Sequence, residues 1–245
     1  TWEALEGVVK HNGPLLRKGG GEGTLPRGIA EFNRRYDLDL ASFAGPEAQV
    51  AAIADDIAYN NHDIDDGLHA GLFTVDDLEE VPLAGPVFRE VRDRHPGLER
   101  SRLIHEAVRR MINRMVTDLI GETKRRLAAA APRSVDDIRA LDAPVVAFSE
   151  EMRANDLALK RFLFERMYRH YKVNRMTSKA RRVVRDLFEL LLAEPGCLPQ
   201  DWQRLASAPG TPATAVLVAD YVAGMTDRFA LEEHRHLFDV YTKSE

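Results

Sequence analysis

Five aspartates and two asparagines crowd into thirteen residues, ADDIAYNNHDIDD at 54–66. Carboxylates at that density repel one another unless positive charge stands among them. Hard divalent cations such as Mg2+ and Mn2+ favour oxygen ligands of this kind. The surrounding segment, PEAQVAAIADDIAYNNHDIDDGLHAGLF, carries apolar residues at Val50, Ile53, Ala54, Ile57, Ala58, Ile64 and Leu68. That spacing predicts an amphipathic helix with one stripe facing a core. At about 100° per residue, Asp55, Tyr59 and Asp63 advance only about 40° per step. They form a row of carboxylate, phenol and carboxylate on the face turned away from the core. Such a row could hold a metal or a polar substrate; the alternative is a solvated helix face. Asp and Asn compete with the helical backbone, and solvated faces usually carry Lys, Glu and Gln instead. The two readings stand about level.

Other residues with chemical potential are fewer. Lys10, His11 and Asn12 close a short helix over residues 1–11 whose apolar side is Trp2, Leu5, Val8 and Val9. They read better as an ordinary helix end than as substrate contacts. The stretch RKGGGEGTLPRG at 17–28 reads as a surface loop, because it lacks the ending of a phosphate-binding loop and follows no strand. Arg109 is a candidate phosphate contact, with a surface ion pair as the alternative. From Lys160 to Arg185 ten Lys and Arg face a single acid, Glu165, with Phe162, Phe164, Tyr168 and Tyr171 between them. A strip of that kind can bind polyphosphate or single-stranded nucleic acid, or simply ride a solvated face. His234 and His236, two apart, fall on different helix faces and are not expected as ligands.

The elements that must position these residues are helices. The longest periodic segment, SRLIHEAVRRMINRMVTDLIGETKRRL, presents Ile104, Val108, Met111, Ile112, Met115, Leu119 and Ile120 to a core. Thr74, with Asp76 and Asp77, marks a helix start, and Gly85-Pro86 reads as a break. Ser134 with Asp137 predicts a capping arrangement, and Ser149 a further N-cap. A brief strand is expected at 145–148, Val-Val-Ala-Phe, and one last helix from about Ala213 through LEEHRHLF. The expected fold class is all-α.

Three blocks in order, TWEALEGVVKHNGP (1–14), PEAQVAAIADDIAYNNHDIDDGL (46–68) and DYVAGMTDRFALEEHRHLF (220–238), resemble the deoxyguanosinetriphosphate triphosphohydrolase-like proteins of the HD-domain phosphohydrolase superfamily. ERMYRHYKVNRM (165–176) resembles them too, so the similarity covers most of the chain. The resemblance implies a multi-helix HD-domain-like bundle and an enzyme that cleaves a deoxynucleoside triphosphate to deoxynucleoside and inorganic triphosphate. It implies a divalent metal, Mg2+, Mn2+ or another transition metal, with Asp55 as its last protein ligand. It places Tyr59 and Asp63 at the sugar and phosphates of the substrate, and it implies a homo-oligomer.

No GHDLGH-like segment, which carries the family's metal-binding His-Asp dyad, occurs among the 245 residues. His62-Asp63 spells the dyad but stands in the wrong block. The catalytic His and acid of the family have no counterpart either. The expectation is therefore a C-terminal part of a longer enzyme, incomplete on its N-terminal side and inactive alone. Residues 1–130 are expected to belong to the catalytic helical domain, and 131–245 to a helical region continuous with the same core. The contrasting reading is a non-enzymatic module that binds nucleotide or single-stranded nucleic acid.

A formal net charge of −5 argues against a protein that coats nucleic acid along its whole surface. The single cysteine, Cys197, permits no internal disulfide, and a reducing cytoplasm fits. No apolar run approaches the roughly 18 residues of a membrane span.

Overall fold

Apolar spacing, caps and glycines together account for where the chain coils. The computed structural model describes residues 1–16 and 25–241, so most of the glycine-rich stretch at 17–28 lies outside the described residues. The described residues form eleven α-helices and no strand. The chain divides into two units, Thr1–Tyr168 and Arg169–Glu245.

The first unit holds α1 (Trp2–Lys10), α2 (Arg27–Asn33), α3 (Pro46–His69), α4 (Ala84–Arg94), α5 (Arg100–Ala130), α6 (Val135–Arg139) and α7 (Glu150–Leu163). Proline at the first position of α3 starts that helix without losing a hydrogen bond. Its end is packed tightly: a Cβ on Gly67 would stand 2.2 Å from the Phe73 ring. Ile57, Ile64 and Leu68 from α3 meet Ile104, Met111 and Met115 from α5, Val87 and Val91 from α4, and Leu159 and Leu163 from α7. This core holds the functional face of α3 in place. Val50, Ala54 and Ala58, expected in the same stripe, are exposed, as is Ile120 on α5.

Three local expectations need correction. Gly85-Pro86 does not break a helix but lies in the first turn of α4, where proline is tolerated. Gly85 also has its own reason, since a Cβ there would come within 2.1 Å of the Glu79 carbonyl oxygen. The segment 145–148 is buried but is no strand. Its Val145 and Val146 N–H groups both donate to Gln49 Oε1, at 3.0 and 3.1 Å, so a side chain takes the place of a neighbouring strand. On α1 the expected face is turned outward: Leu5 and Val8 are exposed while Glu6 and Lys10 are fully buried. Lys10 Nζ lies 2.9 Å from Glu6, and Arg139 forks onto the same carboxylate with two bonds of 2.9 Å. The capping arrangements at Ser134 with Asp137 and at Ser149 are present.

α7 runs into a π-helical turn over Phe164–Tyr168. Turns of this type re-aim side chains and recur at functional sites.

The second unit holds α8 (Tyr171–Ala193), α9 (Gln200–Gln203), α10 (Pro212–Ala223) and α11 (Asp227–Phe238). Its own small core is Leu191, Leu198, Val218 and Tyr221, with the Trp202 ring tilted against Tyr221 at 5.1 Å between centroids. The single final helix expected from Ala213 is two helices, because Gly224 closes α10 and the Thr226 side chain caps α11. His234 Nε2 is spent on Asp186 at 2.8 Å. Cys197 is exposed. No helix among the described residues is long and apolar enough to cross a membrane.

Candidate functional site

The site is built on one face of α3. Asp55 is exposed and its side chain makes no hydrogen bond or ion pair among the described residues. One turn on, Tyr59 is 57% exposed. Asp63, two turns on, departs from the expected row: it is buried and accepts a hydrogen bond from the Tyr168 hydroxyl. Burial first, then the Asp63 carboxylate and the Tyr59 hydroxyl beside it, push the Tyr168 phenol upward from its usual pKa. Tyr168 therefore stays a protonated donor through neutral and alkaline pH. Asp55 and Tyr59 lie on the exposed face of α3, while Asp63 turns inward to Tyr168, a contact that the spacing along α3 had no means to show. In the sequence Tyr168 stands out only as an aromatic of the basic strip and within the ERMYRHYKVNRM block.

Several other polar residues of α3 are spoken for, while His62 and Asp66 are exposed and make no side-chain hydrogen bond or ion pair among the described residues. Asn60 donates to Asp156 at 2.9 Å, and Lys160 bridges Asp156 at 3.0 Å and Asp56 at 3.1 Å. Desolvation would lower the Lys160 pKa, but Asp156 and Asp56 outweigh it and raise it, so this lysine is firmly a cation. Asp65 pairs with His69 at 3.4 Å. The carboxylate crowding read from the sequence is relieved by dispersing these groups to separate partners. Asp55 and Asp66 are left without one.

Beside this face, a cavity of about 190 Å³ is lined by His11, Asn12, Gln49, Asp56 and Val146, among others. His11 Nδ1 lies 2.9 Å from the Val8 carbonyl, and Asn12 Nδ2 lies 3.0 Å from His11 Nε2. A neutral imidazole with its proton on Nδ1 satisfies both bonds. Lys10, the third candidate there, is absorbed by the buried clasp with Glu6. A second cavity of about 540 Å³ on the other side of Asp56 carries Arg125, Arg126 and Arg153.

Arg109 is not brought to this face. It is exposed on α5 and forks onto Glu106 at 2.8 and 2.9 Å. Two members of the basic strip are likewise paired within the first unit, Lys160 as above and Arg166 with Asp77 at 2.9 Å.

Could this face hold a metal? Asp55 is suited to supply one oxygen ligand. Among the described residues, however, no group of three or more His, Cys, Asp or Glu is placed to hold an ion. One carboxylate alone does not fix a metal, so the described residues do not fit a complete centre.

Comparison with known proteins bears on the same residues. Residues 146–236 match the phosphohydrolase-associated domain family. Over 241 residues the chain is 60% identical to a deoxyguanosinetriphosphate triphosphohydrolase-like protein of Parvibaculum lavamentivorans, covering 98% of the chain and 61% of the relative. Proteins of the same name in Caulobacter vibrioides and Azorhizobium caulinodans are 55% and 52% identical, over 97% and 98% of the chain and 60% and 61% of their own lengths. The chain is a close homologue of deoxyguanosinetriphosphate triphosphohydrolase-like proteins. It spans about 60% of the length of these curated relatives. The resemblance read from the three motif blocks is therefore shown over nearly all of the chain.

Proposed function

We propose that a full-length protein carrying this chain hydrolyses a deoxynucleoside triphosphate, of the dGTP type, to the deoxynucleoside and inorganic triphosphate. Asp55 supplies one ligand to a divalent metal whose other ligands stand outside the described residues. Tyr59 packs on the nucleotide. Asp63, held in place by Tyr168, orients the sugar and phosphate region. The observation that carries this reading is that Asp55 is exposed and unpaired one turn from Tyr59 and two turns from the buried Asp63–Tyr168 pair, while the adjacent Asp56 and Asn60 are engaged by Lys160 and Asp156. The printed names of the relatives support the substrate class. The remaining parts of the proposal are a symmetric homo-oligomer and a cytoplasmic location.

The proposal also makes this 245-residue chain inactive by itself. The purified chain, incubated with dGTP and Mn2+ or Mg2+, is expected to release no inorganic triphosphate detectable by phosphorus NMR. Release that a chelator abolishes would overturn it.

A second reading has its own observation. Lys172, Arg175, Lys179 and Arg182 fall on one face of α8, are exposed, and make no ion pair among the described residues. Four cations within about 15 Å of helix suit the phosphates of a single strand. Binding of single-stranded DNA on this face is expected to weaken with salt at a log–log slope of about −3, from about −0.7 per phosphate. A slope near zero would remove this reading.

A further inference from the structure

Three of the eight histidines of the chain, His69, His95 and His105, line one cavity of about 530 Å³. It lies where the C-terminal end of α3 meets the turn between α4 and α5 and the start of α5. Along α3 this is at least ten residues beyond Asp55, about 15 Å of helix. Arg102 and Glu106, from the first two turns of α5, and Asp65, from α3, complete the polar lining.

The charges there are unequally occupied. Glu106 is taken by Arg109 at 2.8 and 2.9 Å and by Arg110 at 2.7 Å. Those guanidinium groups hold its carboxyl down at about 2. Asp65 is taken by His69 at 3.4 Å. Arg102, by contrast, is exposed and makes no ion pair among the described residues. The rings of His95 and His105 make no hydrogen bond there either. An unpaired guanidinium with two unengaged imidazoles presents donors and no free acceptor of negative charge. The first turn of α5 is capped by the Glu99 carboxylate, which accepts from the Ser101 N–H at 3.0 Å. A cation is poorly served: no three ligating groups among the described residues converge on one point.

We propose that this cavity binds the phosphate chain of a small anion, a nucleotide or a free polyphosphate, through Arg102, His105 and His95. Arg102 supplies the fixed charge and the forked geometry suited to phosphate oxygens. His105, one turn along α5 from Arg102, and His95, from the turn before α5, supply N–H donors. Glu106 serves as a pre-paired floor, held by Arg109 and Arg110, and Asp65 lies against His69 at 3.4 Å. The cavity is wide enough for a nucleotide, but its recognition elements are those of phosphate.

The test is site-resolved binding to the 245-residue chain in the presence of a chelator, which separates it from any metal-dependent event at Asp55. With nitrogen-15 labelled histidine, sodium tripolyphosphate is expected to shift the ring signals of His95 and His105 in a saturable way. Arg102→Ala is expected to weaken that binding at least about tenfold, the loss of one charge-assisted contact. His105→Gln should weaken it less. Both side chains are exposed, so both variants keep their thermal midpoint. Equal shifts by tripolyphosphate and dGTP support recognition of the phosphate chain. Shifts by dGTP alone would overturn it in favour of base recognition. Unmoved ring signals, or Arg102→Ala binding as tightly as the parent, would also overturn it.

Discussion

Two helices of this protein carry charge in opposite ways. On α1, Glu6 and Lys10 are fully buried and fully paired, locked to each other and to Arg139, which also lies 4.8 Å over the Trp2 ring. On α3, Asp55 is exposed and has no partner among the described residues, although its neighbours Asp56 and Asn60 do. The same residue classes serve two ends. Charges withdrawn from water must be satisfied internally, and they then fix how elements pack. A carboxylate left in water beside a buried, hydrogen-bonded pair adds nothing to packing and stays available for a ligand. Partnering, more than residue type or spacing, tells the carboxylates that hold elements together from those left open to solvent.

The contrast is broken most severely at Glu6. Glu6→Ala leaves the buried Lys10 without a carboxylate and Arg139 with Asp136 alone, and is expected to cost about 3–5 kcal/mol, measured by urea unfolding. The pH dependence follows in sign. Desolvation pushes the Glu6 carboxyl up, but its bonds to Arg139 and Lys10 prevail and hold it below the usual range. A depressed folded value means the stabilisation is present above the unfolded value, about 4.3, and is lost as pH falls through the folded one. Glu6→Gln is therefore expected to unfold with a shallower acid dependence below about pH 4 than the parent. An identical acid slope would show that Glu6 is not the group that couples protons to folding.

A smaller effect is expected at Tyr168. Tyr168→Phe removes the hydroxyl that Asp63 accepts from and leaves a buried carboxylate short of a donor. The expected cost is about 1.5–3 kcal/mol. In a full-length protein it should raise KM more than it lowers kcat, because Tyr168 holds Asp63 and not the reacting atoms. A variant as stable as the parent would mean that Asp63 finds another donor.

What could be read from the sequence divides along the same line. Ile57, Ile64 and Leu68 were legible because a helical stripe repeats within one segment, and Ser134 with Asp137 because a cap is closed within four residues. The row of Asp55, Tyr59 and Asp63 was legible as a face. Its inner half was not, because the partner of Asp63 lies 105 residues away. The burial of Glu6 and Lys10 was hidden for the same reason, with Arg139 133 residues from Glu6. The strand expected at 145–148 fails because a glutamine 96 residues earlier satisfies its N–H groups. Arg109 had the right chemistry for phosphate, but a glutamate three residues before it claims the fork. Local periodicity records which faces are apolar; it does not record which distant group will meet a charge.

The smallest expected change in stability, and the largest in activity, falls on Asp55. The decisive measurement is dGTP hydrolysis by a full-length protein carrying Asp55→Ala, with its thermal midpoint taken on the same preparation. The account predicts turnover reduced more than about 100-fold, as for loss of a direct metal ligand, with stability within about 0.5 kcal/mol of the parent. Turnover at the parent's level would contradict it, and Asp55 would then be an ordinary solvated aspartate.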